Sequence, residues 1–203
     1  MIINPRDLNW HKAHELLACV VTPRPIAFVS TIDKDGVYNL APYSYFSPLC
    51  NVPMIVGFSV GRKSKGEKKD TLLNVEFSKE FVINIVTETL ANPMVKTAKA
   101  FPIHIDEFKE VGLTPIKADL VKPPMVAESP INMECRLMQI LEFGVAPKKN
   151  NFIIGEVVRV HIKDEFVVED QIQALKLKVI GRLGREGRSY CRTIDIFEIP
   201  RPD

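Results

Sequence analysis

The chain has 203 residues, 46% of them apolar, which suits one domain with a sizeable core and leaves little room for a second. Its 27 Lys and Arg against 25 Asp and Glu give a net charge of +2, so nothing in the overall electrostatics calls for nucleic acid or an anionic membrane, and any anion site must be local. No long uninterrupted apolar run occurs, and Met1 to Asp7 lacks the basic-then-apolar order of a secretory signal, so the expectation is a soluble cytoplasmic protein.

In chain order, the first strong signal is Ile26 to Ile32, apolar and β-branched on both alternating faces, followed by the turn Asp33-Lys34-Asp35-Gly36, where glycine supplies a positive φ. This predicts a β-hairpin buried on both sides. Ser30, Thr31 and Asn39 are polar intruders in such a hairpin, and something must hydrogen-bond to them; a ligand would serve. Leu40 to Leu49 has no helical period and two prolines, and reads as a second extended segment with alternating aromatics and hydroxyls.

A strand over Met54 to Val60 and a charged loop from Gly61 to Lys69 follow, then a short helix over Asp70 to Phe77 capped by Asp70 or Thr71. Phe81 to Val86 is another buried strand, Glu88 to Ala100 a helix interrupted at Pro93, and Asp106 to Val111 a small acidic helix ending at Gly112. Three long strands are expected next, over Leu113 to Val121, Met133 to Val145 and Phe152 to Ile162, the last two joined by a turn at Pro147 to Asn151. The glycine-bearing tail from Gly181 ends in a short strand or arm, Tyr190 to Phe197. Strands outnumber helices and are joined largely by turns, which predicts a single mainly-β domain over 1–203, an antiparallel barrel with peripheral helices. A Gly-x-Gly-x-x-Gly turn and a Walker loop are both missing, which argues against a Rossmann domain.

The loop Gly61 to Lys69 holds five basic residues and one acidic one, directly before a helix start. Cations, a Thr hydroxyl and free helix N–H groups together suit a phosphate, although a solvated loop has the same composition. Ser44 and Ser47 offer hydroxyls, and Tyr45 and Phe46 offer aromatic surface, unless the rings are core. His11 and His14 read as surface or structural; His161 matters if it points into a cleft. Cys19, Cys50, Cys135 and Cys191 have no metal-ligand spacing and read as small buried hydrophobes, against zinc, iron–sulfur or thioredoxin chemistry. No nucleophile-elbow or triad pattern supports nucleophilic catalysis.

Thr22-Pro23-Arg24-Pro25-Ile26-Ala27-Phe28-Val29-Ser30-Thr31 and Asn39-Leu40-Ala41-Pro42-Tyr43-Ser44-Tyr45-Phe46 closely resemble the flavin reductase-like family of FMN-binding split-barrel proteins. The likeness continues through Lys69-Asp70-Thr71-Leu72, Phe81 to Val86, Val126 to Cys135, Gly155 to Val158 and Gly181 to Gly184, in that family's order. The resemblance implies a homodimer of split β-barrels with FMN bound noncovalently in a groove at the subunit interface. Carried over by position, Pro25, Ile26, Ser30 and Thr31 would line the flavin ring, Asn39, Ala41, Ser44, Tyr45 and Phe46 would hold ring and ribityl chain, and Lys69, Asp70 and Thr71 would take the phosphate.

The flavin would carry the chemistry, with no catalytic side chain and no metal. His161, Arg182 and Tyr190 are the candidates for the nicotinamide side. The implied activity is NAD(P)H-dependent flavin reduction, with a redox protein or monooxygenase as a further partner. The alternatives are a flavoredoxin-type electron carrier and a non-catalytic FMN-binding barrel.

Overall fold

The computed structural model describes residues 1–184, 189–200 and 202. Helix α1 (Trp10–Val20) leads to β1 (Ala27–Ile32), β2 (Tyr38–Tyr43), β3 (Phe46–Cys50) and β4 (Ile55–Gly61). Helix α2 (Asp70–Ser78), β5 (Glu80–Ile85), α3 (Ala91–Thr97) and α4 (Glu107–Val111) follow. The short β6 (Pro115–Ile116) and β7 (Met125–Val126) precede the two longest strands, β8 (Ile131–Phe143) and β9 (Asn150–Ile162). The chain closes with β10 (Val167–Val168), β11 (Gln171–Ile172), β12 (Ile180–Arg182) and β13 (Tyr190–Arg192). No helix among the described residues is long and apolar enough to cross a membrane.

The main sheet is seven-stranded and antiparallel, in the order β2-β1-β5-β8-β9-β4-β3. Its two outermost strands are consecutive in the chain, separated only by Ser44 and Tyr45, so the sheet must curl on itself to bring them together. The Ser59 amide donates to the Tyr45 carbonyl at 2.9 Å in this corner. The result is the expected split barrel.

β1 is buried on both faces because its alternating side chains serve two cores. Ala27 and Val29 enter the barrel with Phe58, Phe81, Ile153 and, from α2, Leu72 and Val75. Phe28 points the other way, to a cluster with Leu40, Met94 and Phe108. Pro93 is accommodated because it sits in the first turn of α3, where its missing N–H costs nothing.

Several sequence expectations need correction. Leu113 to Val121 forms only the two-residue β6: the amides of Asp119, Leu120 and Val121, which a strand would spend on a ladder, instead donate to the fully buried Glu134 carboxylate at 2.9, 2.6 and 3.0 Å. The cap of α2 is Lys69, not Asp70 or Thr71. Only Cys135 is a buried cysteine; Cys19 and Cys50 are exposed and Cys191 is partly so. The arm from Tyr190 pairs as β13 only to Arg192, and residues 185–188 of the tail lie outside the described residues.

Two glycines shape the barrel wall. Gly155 on β9 lies beneath the Phe81 ring, and Gly57 on β4 beneath Phe152, where an added Cβ would meet the ring carbon at 2.5 Å. Each missing side chain admits an aromatic across the sheet. We expect Gly155→Val to abolish soluble expression and Gly155→Ala to lower stability by about 1–3 kcal/mol in urea melts, with Phe81→Leu added to Gly155→Ala recovering part of the loss.

Glu107, in the first turn of α4, pins that helix to the sheet by accepting the Leu40 amide at 3.1 Å. Burial pushes its carboxyl up to about 7, against the downward pull of that hydrogen bond. A folded-state pKa above the unfolded value means that the native state holds the extra proton, so this group's contribution is full below about 4.5 and declines as pH rises to about 7. Relative to Glu107→Gln, the native protein should lose up to about 3 kcal/mol across that window, measured by denaturant melts at stepped pH.

Candidate functional site

Two adjoining depressions that share Pro42 and Ala98 make one groove along the outer face of β2. The larger, about 720 Å³, lies over Ala41, Lys69 and Thr71; the smaller, about 160 Å³, over Ile26, Ser44, Arg182 and Tyr190. Together they fall in the size range of cofactor sites. Helix α3 and the residues after it supply the opposite wall through Met94, Val95, Ala98 and Lys99.

At one end, α2 begins with no side-chain cap. The Leu72 amide donates to the Lys69 carbonyl at 3.0 Å, which leaves the Asp70 and Thr71 amides and the positive end of the dipole to face an anion. The Thr71 hydroxyl accepts hydrogen bonds from Asn39 Nδ2 and Tyr43 Oη, each at 2.9 Å. With both lone pairs taken, what it has left to offer is its own O–H, a donor. Burial pushes the Tyr43 phenol up, which keeps it protonated for this task. The Lys69 ammonium is held below its ordinary value, first by burial and then by Lys63, and lies 5.7 Å from the centre of the Tyr43 ring. Lys63 itself is paired with Asp70 at 3.0 Å. Arg62 bonds Glu142 at 2.7 Å and Asn151 at 3.3 Å, while its Nε is buried without a partner. Cationic groups, a hydroxyl donor and open amides fit a phosphate monoester.

At the other end, Arg182 bonds the Tyr190 hydroxyl and lies 4.8 Å over its ring. Their position is fixed from the segment before β1: the backbone of Arg24 exchanges two hydrogen bonds with that of Arg182, at 2.9 and 2.8 Å. The buried Arg24 guanidinium then donates to the carbonyls of Ala18, Val21 and Gly184 and to Ser44 Oγ, and lies 5.9 Å over the Tyr45 ring. Five contacts on one side chain fasten the end of α1, the β2–β3 corner and the β12 arm around the small depression.

Of the sequence candidates, the structure brings Ile26, Asn39, Ala41, Ser44, Lys69, Asp70 and Thr71 to one groove, with Arg182 and Tyr190 beside them. Pro25 is exposed next to it. Ser30 and Thr31 do not reach the groove; both are fully buried and bonded within the protein. Ser30 donates to the Pro124 carbonyl and accepts from Asn84 at 3.2 Å, and Thr31 accepts from Asn39 and Asn74 at 3.1 and 3.0 Å. Phe46 packs against the barrel core, opposite Phe58. Tyr45 stacks toward His14 at 6.2 Å, with its hydroxyl buried and unpartnered.

His161 is the clearest displacement. Its Nε2 lies 2.5 Å from Glu134 Oε1 on the β8–β9 ribbon, and it lines neither of the two depressions, the smaller of which holds Arg182 and Tyr190. Burial alone would push the Glu134 carboxyl up, but His161 and the amides of Asp119 and Leu120 hold it low, so the pair is a structural anchor for the 119–121 loop. Sequence reasoning missed Pro42, Arg24 and the α3 wall. Arg24 had a signal, an arginine inside an apolar strand entry; the residues of the wall at and after α3 had none.

The flavin reductase like domain matches residues 19–174 of the chain. The structure aligns with that of nitrilotriacetate monooxygenase component B from Bacillus cereus at TM-score 0.93 and 35% identity, covering 98% of each chain. It aligns with 2-nitrobenzoate 2-nitroreductase of Pseudomonas fluorescens at TM-score 0.89 and 30% identity, over 100% of this chain and 96% of that one. A protein of Halalkalibacterium halodurans is 34% identical over 100% of this chain and 97% of its own length. With the domain spanning most of the barrel and these likenesses running from end to end, the chain belongs to the flavin reductase-like family of split-barrel flavoproteins.

Proposed function

We propose that this chain binds FMN in the groove along β2 and acts as an NAD(P)H-dependent flavin reductase. The observation that carries the reading is the uncapped start of α2 with Lys69 and the Thr71 hydroxyl at one end of a groove whose other end is flanked by Arg182 and Tyr190. Bound there, FMN would supply the redox chemistry of a hydride-accepting, electron-donating group. The chain's own residues bind and orient. Lys69, Thr71 and the α2 amides hold the phosphate; Asn39, Ala41 and Ser44 lie along the ribityl chain and ring; Ile26 and Pro42 give the ring an apolar floor. Arg182 and Tyr190 offer a cation and an aromatic face to a nicotinamide nucleotide, and hydride transfer asks for close approach rather than a protein base.

A homodimer fits the same reading. β3 is a sheet edge that exposes Leu49, and Val52 and Met54 are exposed just beyond it, an apolar strip that a second copy would cover. The likeness to component B of a monooxygenase supports a partner that consumes reduced flavin.

Anaerobic mixing of the FMN-loaded protein with NADH and with NADPH tests the activity through the flavin absorbance. Rapid bleaching with one or both is expected; flavin that stays oxidised with both would exclude the reductase and leave a flavoredoxin-type carrier reduced by a protein. Lys69→Ala should weaken FMN binding about 10- to 100-fold by fluorescence titration, with little change in riboflavin binding because riboflavin has no phosphate.

A further inference from the structure

The outer face of α2 opens on a second cavity. The helix carries two apolar stripes: Leu72 and Val75 are wholly buried in the barrel core, whereas Leu73 and Phe77 remain 40% and 63% exposed. Asp70, Leu73, Asn74 and Phe77 follow the i, i+3, i+4, i+7 spacing of one helical face. That face walls a cavity of about 190 Å³, closed on its other sides by the β1–β2 hairpin tip and by a strap, residues 102–105. The strap is held in place. His104 adopts a left-handed backbone with φ 68°, uncommon for a residue with a side chain, and its Nδ1 lies 3.1 Å from Asp33 Oδ2. The other Asp33 oxygen accepts the amides of Asp35 and Val37, both at 2.8 Å, so strap and hairpin tip form one unit.

Size and lining define the occupant. An apolar cavity of about 150 Å³ holds one benzene ring, so this one takes a ring with a short substituent. Leu73, Phe77, Ile103 and Ile105 supply the apolar surface. Asp33, Asp70 and Glu107 face the same space against Lys34 and His104; Lys34 leans toward Asp35 at 3.7 Å and His104 is committed to Asp33. Glu107, only 7% exposed, is the buried polar group at the floor. Its carboxyl oxygens can accept an N–H or O–H donor, and Asp33 and Asp70 on the same lining oppose a second carboxylate. We propose that this cavity binds a monocyclic apolar molecule bearing one amine or phenol donor, its ring against Leu73 and Phe77 and its donor on Glu107. Asn39, Asp70 and Glu107 also border the β2 groove, but Leu73, Phe77, Ile103 and Ile105 border this cavity and not the groove, so the apolar site is distinct from it.

Ligand-observed NMR on the FMN-loaded protein tests this, with benzylamine, phenol and benzoate as probes. Saturable binding of benzylamine and phenol is expected, with benzoate weaker by about fivefold or more. Ile103→Trp, which fills the cavity from a strap position 58% exposed and outside the β2 groove, should weaken both binders about tenfold or more while FMN affinity stays unchanged. Absence of saturable binding, displacement of the probes by FMN, or undiminished binding to Ile103→Trp would each overturn the site. Were the chain to take up no FMN, the flavin reading would fall, and the same probes on the FMN-free chain would still decide this one.

Discussion

The position of everything that matters here depends on one buried hydroxyl, that of Thr71. It accepts from Asn39 on β2 and from Tyr43 at the end of the same strand, and Asn39 also donates to Thr31 on β1, which accepts from Asn74 one turn further along α2. The first turn of α2 is thereby stitched to both strands of the hairpin by largely buried donors and acceptors. Polar groups at this depth are tolerated only when satisfied, and a network satisfied in one geometry excludes neighbouring ones. The uncapped start of the helix is thus fixed relative to the strand that floors the groove.

The same economy gives some polar residues that read as ligand contacts their partners inside the protein. A buried Ser or Thr in an apolar strand announces a hydrogen-bond partner without saying whether it is a ligand or another part of the chain. Ser30 and Thr31 are adjacent and therefore face opposite ways: Ser30 joins Asn84, Asn132 and the 124–126 segment on the outer face, while Thr31 joins the α2 network. Asn39 shows the intermediate case, since it belongs to the network and also borders the groove. Period and composition cannot separate these cases, because the deciding partners, Thr71 for Asn39, Asn74 for Thr31 and Pro124 for Ser30, lie 32 to 94 residues away in sequence.

The hairpin, the buried β5 and the long β8–β9 ribbon were legible because their apolar periods and turn residues agree. The barrel itself was legible only as a class, since the pairing of β5 with β8 and of β4 with β9 is long-range. Two failures share one cause. Leu113 to Val121 has strand composition, yet its amides serve Glu134; His161 has the look of a cleft residue, yet it serves the same carboxylate. A single buried acid, unremarkable in the sequence, redirected a predicted strand and a predicted site residue at once.

The wall formed by Asn39, Asp70 and Glu107 divides two environments of opposite sign. On the groove side, Lys63, Lys65, Lys69 and Lys99 outnumber the acids; on the strap side, Asp33, Asp70 and Glu107 prevail. Asp70 can border both because Lys63 neutralises it at 3.0 Å, and Glu107 can because burial favours its neutral form. An unpaired carboxylate in either position would oppose a phosphate in the groove at close range. The Lys63–Asp70 pair and the raised carboxyl of Glu107 thus reduce the negative charge that the acidic cavity presents to the basic groove across one thin layer of β-strand and helix.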